Sequence, residues 1–117
     1  MTAIQNPKTN KTEPYVGMAE IHTVKRIAFD VDGTLIKKTD NGDVPRYEII
    51  ALARLFIDLG HTVFVWSGGG EDYARHWAEK LDLLPHVRIL PKRGDAFAID
   101  IAFDDHQTKL ALVDVIV

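Results

Sequence analysis

No cysteine occurs among the 117 residues. Disulfide scaffolds, thiolate zinc sites and cysteine nucleophiles are therefore excluded. Positive charge is not in excess either: 14 Lys+Arg stand against 17 Asp+Glu, for a net charge of -3. That argues against a nucleic-acid binder relying on overall charge, though not against a local basic patch. No apolar run approaches the roughly 20 residues of a membrane span. The N-terminus lacks the basic-then-apolar pattern of a signal peptide, and no repeat or low-complexity segment is visible. What is present is 46% hydrophobic and 26% charged residues, the balance of a folded globular chain. The expectation is one small soluble domain, cytoplasmic and without membrane attachment.

Residues 1–20 are polar and broken by Asn6-Pro7 and Pro14, which predicts a flexible N-terminal segment ahead of a catalytic domain over 21–117. From Val24 the pattern alternates. Val24–Phe29 reads as a strand, and Ile36–Pro45 as a connection in which Asn41-Gly42 favours a tight hairpin turn. Arg46–Leu59 has a wide apolar stripe at helical spacing, followed by Gly60 in the position of a terminating glycine. Thr62–Trp66 is β-branched and aromatic, hence a buried strand. Glu71 to about Leu83 predicts a second helix, with Tyr73, Ala74, Trp77, Ala78 and Leu81 inward. Val87–Leu90, Ile99–Phe103 and Leu112–Val117 complete a set of five strands. Strands alternating with helices predict an α/β domain on a parallel five-stranded sheet.

Ligands of open parallel sheets bind beyond the carboxyl ends of the strands. Four of those ends carry polar groups: Asp30-Val31-Asp32-Gly33-Thr34, then Ser67-Gly68-Gly69-Gly70, then Lys92-Arg93, then Asp104-Asp105. Together they are an inventory for phosphate and magnesium. A carboxylate can attack phosphorus and split one hard step into two. Asp30, the first carboxylate after the strand, is the candidate nucleophile. Asp32 can act on the same site as acid and then base. Gly33 permits a sharp turn and close approach of backbone to phosphate, with Thr34 beside it as a further substrate contact. Ser67 and Gly68 would offer a hydroxyl and N–H groups to phosphate oxygens before a helix N-terminus. Lys92, or Arg93 next to it, would hold the developing charge. The crowding of Asp30, Asp32, Asp104 and Asp105 calls for a magnesium ion, with these four carboxylates as candidate ligands and Asp104, Asp105 or both holding it.

These residues resemble the haloacid dehalogenase superfamily of phosphotransfer enzymes. Asp30-Val31-Asp32-Gly33-Thr34, between Phe29 and Leu35, looks like its first motif; Ser67, Lys92 and Asp104-Asp105 look like the other three, in the same order. The resemblance covers Val24 to about Asp105. It implies a Rossmann-like core of three layers, or of two, and a magnesium-dependent phosphomonoesterase working through an aspartyl phosphate on Asp30. The stretches where the family carries a cap domain are too short for one here, so the resemblance implies a capless member with an open site. Such a site suits a large phosphorylated substrate, and a nucleic acid enters only as a substrate.

Plainer readings exist for each motif taken alone. Asp-x-Asp-Gly serves ordinary turns, Ser67 and its glycines could cap a helix, and Lys92-Arg93 could be a solvated pair. The five histidines have no metal-ligand spacing, although His106 sits beside the acidic pair. Rival functions are phosphoryl transfer to an acceptor other than water, a catalytically idle binding or assembly module, and a receiver-like domain. The two helices fall on one face of the sheet by right-handed crossover, and the links before the fourth and fifth strands are too short for more. The other face then needs a cover, from self-association into a homo-oligomer or from the N-terminal segment.

Overall fold

The computed structural model describes residues 23–94 and 98–117. The segment 1–20, expected to be flexible, lies outside the described residues. In chain order the elements are β1 (Arg26–Asp30), β2 (Ile36–Thr39), β3 (Gly42–Pro45), α1 (Tyr47–Asp58), β4 (Thr62–Ser67), α2 (Glu71–Lys80), β5 (Arg88–Pro91), β6 (Ile99–Asp104) and β7 (Ala111–Ile116). Strands β5-β4-β1-β6-β7 form one sheet in that order, every pair of it parallel. The architecture is α/β and compatible with a Rossmann-like fold. No helix among the described residues is long and apolar enough to cross a membrane.

Side chains alternate across the sheet, and both faces are buried. Ile27, Phe29, Val63 and Val65 join Ile49, Ile50 and Ala53 of α1 and Ala74, Trp77 and Ala78 of α2 in one core. Ala28, Phe64, Trp66, Leu90 and Ala102 point the other way into a second buried cluster. This double burial explains why the central strands read as continuous apolar runs rather than alternating ones. Both described helices pack on the first face, as the crossover rule requires. The second face is not bare: Trp66 and Ala102 are wholly buried there, and Leu110 and Ala111 pack against it.

The route from β6 to β7 contributes to that cover. Ala111 aligns with Ile99, the first residue of β6, so Asp105–Leu110 must travel back the length of a strand, roughly 17 Å at about 3.3 Å per residue. The connection is therefore extended and has no room for a helix. Pro91 is admitted to β5 because that strand is an edge, where a missing N–H donor costs no ladder bond.

Local differences from the expected elements have identifiable causes. The helix expected to reach Leu83 ends at Lys80. Asp82 takes a positive φ of 60°, and the N–H of Leu83 donates back to Ala78 O at 2.8 Å. This is a glycine-type stop made by an aspartate. In the β2–β3 hairpin Thr39 pairs with Gly42, so the turn residues are Asp40 and Asn41. Gly42, at φ 112°, opens the return strand instead of sitting in the turn.

Candidate active site

Phe29 and Phe103 stack at 4.7 Å with planes 6° apart, and Phe56 of α1 lies 5.8 Å from Phe103. Each of these two phenylalanines directly precedes an aspartate. The aromatic pair on the helix face therefore sets the relative position of β1 and β6. Alternation then turns Asp30 and Asp104 to the opposite side, where both are buried.

Lys92 joins them. Its Nζ lies 3.0 Å from Asp30 Oδ1 and 2.8 Å from Asp104 Oδ2. Burial alone would lower the Lys92 ammonium, but its contacts with Asp104 and Asp30 outweigh that and hold it above its usual value. Burial pushes Asp30 up from 3.8 to about 6, against the pull of Lys92 and with help from Asp104 and Asp105. Asp105 is held below the usual range because hydrogen bonds involving Asp104 and His106 outweigh its partial burial. Its Oδ1 is 2.9 Å from His106 Nδ1, and Asp104 Oδ1 accepts the His106 N–H at 2.9 Å. Ligand atoms of Asp104, Asp105 and His106 all lie within 4.8 Å of one another, so His106 belongs to the acidic cluster despite its uninformative spacing.

Gly33 sits directly against this cluster. A Cβ at that position would fall 2.1 Å from Asp105 Oδ2, and the residue adopts φ 82°. Only glycine meets both conditions. Its N–H, however, donates to Ile36 O at 2.8 Å, and its carbonyl accepts from Arg46 Nη1 at 2.9 Å. The backbone of Gly33 is thus spent on the turn and not presented to a ligand. Thr34, expected as a substrate contact, is fully buried, with no hydrogen-bond partner for Oγ1, and does not line the cavity.

Asp32 turns towards a different set of partners. Its Oδ1 accepts from the Tyr73 hydroxyl at 2.6 Å and lies 3.9 Å from Lys38 Nζ. Burial, and then the hydrogen bond to Asp32, raise Tyr73 above its usual value and keep it a donor. Ser67, at the end of β4, accepts the Gly69 N–H on Oγ at 2.9 Å, which leaves its own O–H to donate. The N-cap of α2 is Gly70, so Ser67 does not cap the helix.

A cavity of about 480 Å³ gathers these groups: Asp30, Asp32, Ser67, Gly68, Lys92, Asp104 and Asp105 all line it. Arg93, the alternative cation, does not line it. The sequence reading missed Gln107, Thr108 and Leu110, which form one wall. Asp114 on β7 fixes that wall by accepting from Thr108 Oγ1 at 2.5 Å and from the Lys109 N–H at 3.0 Å. No motif marks this segment in the sequence. Compared with protein-family models, curated proteins and solved structures, the chain matches none.

The raised Asp30 has a direct consequence for stability. In protein freed of divalent cations, folding takes up a proton on Asp30 between pH 4 and 6. The residue's stabilising contribution is complete below pH 4 and is lost as the pH rises through 6. Asp30→Asn removes this dependence while Lys92 keeps Asp104. In excess EDTA, its stability relative to the unsubstituted protein should rise by about 2 kcal/mol between pH 4 and 7. Urea denaturation of both proteins across that range measures it, and a constant difference would contradict the protonation assignment.

Proposed function

We propose that the protein is a magnesium-dependent phosphomonoesterase of the haloacid dehalogenase type, working through an aspartyl phosphate on Asp30. The observation that carries this reading is the convergence of Asp30, Asp32, Ser67, Lys92 and Asp104, from the ends of four strands and their loops, on one cavity. With a value of about 6, Asp30 is mostly ionised at neutral pH and able to act as nucleophile. Its carboxylate oxygen bonds to phosphorus as the ester P–O bond breaks, and Asp32 gives its proton to the departing alkoxide. Asp32 then takes a proton from water as that water attacks phosphorus and the Asp30–phosphorus bond breaks. Lys92 spans Asp30 and Asp104, where it neutralises phosphoryl oxygens, and the Ser67 hydroxyl donates to another of them.

The donor set fits a hard cation. Asp30, Asp104 and Asp105 offer carboxylate oxygens, and Asp104 Oδ2 is buried with no hydrogen bond directed to it, only the Lys92 ion pair. A magnesium ion held by these three would supply Lewis-acid neutralisation of the phosphoryl group. The test is a screen over many phosphomonoesters, with magnesium and with excess EDTA. Turnover should need the cation. Release from no ester at saturating enzyme would favour the idle binding module, and full activity in chelator would remove the metal from the mechanism.

A further inference from the structure

We propose that Tyr73 is a positioning residue that fixes the orientation of the Asp32 carboxyl in the candidate site. The inference rests on the phosphomonoesterase reading and adds a residue and a reactivity class to it. Tyr73 lies on the first turn of α2, and its hydroxyl crosses to the β1 loop to donate to Asp32 Oδ1 at 2.6 Å. That bond fixes the orientation of the carboxyl and keeps it from rotating.

The surroundings of Asp32 and of the tyrosine ring tie Tyr73 to the site. The Asp32 carboxylate is half exposed, with Lys38 Nζ 3.9 Å from the same Oδ1, so water competes for it and one hydrogen bond decides its orientation. The Tyr73 ring packs on Gly69: a Cβ at Gly69 would come within 3.2 Å of ring carbon Cδ2 and 3.3 Å of Ser67 Oγ. One side chain therefore sets the acid and borders the phosphate loop. Lys38 is paired with Asp43 Oδ1 at 3.2 Å on the hairpin and also interacts with the Tyr73 hydroxyl, so Tyr73 makes the short bond to Asp32 and Lys38 stands behind both.

A group that only orients the acid matters in proportion to the help the leaving group needs. In the first step the Asp32 proton passes to the ester oxygen as the P–O bond breaks and the Asp30–phosphorus bond forms. A nitrophenolate departs with little protonation, whereas an alkoxide requires it. The experiment compares kcat/KM, which reports the steps through phosphoenzyme formation, for 4-nitrophenyl phosphate and a simple alkyl phosphate with magnesium present. Tyr73→Phe should lose about tenfold on the alkyl ester and less than twofold on the aryl ester. Thermal melting of the variant checks that folding is intact. Equal losses on the two esters, or no loss on either, would overturn the assignment. The two esters are drawn from those the wider screen shows to be split; release from no ester there means the phosphatase reading itself fails and this inference falls with it.

Discussion

Asp30→Asn should lower turnover of any phosphomonoester substrate by at least about a thousandfold, because it closes the covalent route while leaving the shape of the site almost unchanged. The amide keeps the volume of the carboxylate in a buried position between β1 and Lys92. Asp32→Asn should behave differently. The nucleophile survives, so an ester with a good leaving group still phosphorylates the enzyme, but no base remains to activate water. Phosphoenzyme should therefore accumulate on Asp32→Asn and be absent from Asp30→Asn. Intact-mass measurement after brief exposure to 4-nitrophenyl phosphate reads both results. Residual turnover in Asp30→Asn, or phosphate mapped to Asp32, would require the roles to be redrawn.

The second large effect concerns Lys92. Its ammonium is the charge that faces two buried carboxylates, and Asp105 stands close by. Lys92→Met keeps most of the apolar stem and removes the charge, leaving Asp30 and Asp104 buried and uncompensated. Breaking a buried ion pair from one side is strongly destabilising, and a loss of about 3 kcal/mol at pH 7.5 is expected. The loss should shrink towards pH 5. Without Lys92 the Asp30 carboxyl is released from the contact that pulls it down, so it protonates more readily and removes the repulsion. Adding Asp30→Asn to Lys92→Met should restore part of the loss, a coupling that a double-mutant cycle in urea measures directly. Additive effects, or a loss unchanged between pH 7.5 and 5, would contradict this electrostatic account.

The parallel sheet and the placement of its polar strand ends were legible because burial on both faces leaves runs such as Ile27–Phe29 and Val63–Trp66 with no other reading. Groups whose role depends on a long side chain crossing between elements were not legible. Tyr73 fits the inward stripe of α2, and nothing in its spacing shows that its ring lies on Gly69 while its hydroxyl reaches Asp32. Thr34 reads as a polar loop residue, yet the turn, in which its N–H donates to Val31 O, buries it fully. The His106–Leu110 segment has neither apolar period nor motif. Its shape follows from the register of β7, a long-range pairing that no local pattern encodes.

At the opposite ends of the strands the described residues hold none of this chemistry. There the N–H of Lys25 donates to His61 Nδ1, that of Arg26 to Asp100 Oδ2, and that of Thr62 to Lys25 O. The molecule is in effect polarised along its strands. One end accumulates buried like charge, which costs folding free energy, and the other carries fastening contacts between chain segments. Stability can therefore be adjusted at the Lys25–His61 and Arg26–Asp100 fastenings without touching the reacting groups. Changes at those fastenings move stability alone, whereas any change among Asp30, Lys92 and Asp104 moves stability and the candidate site together.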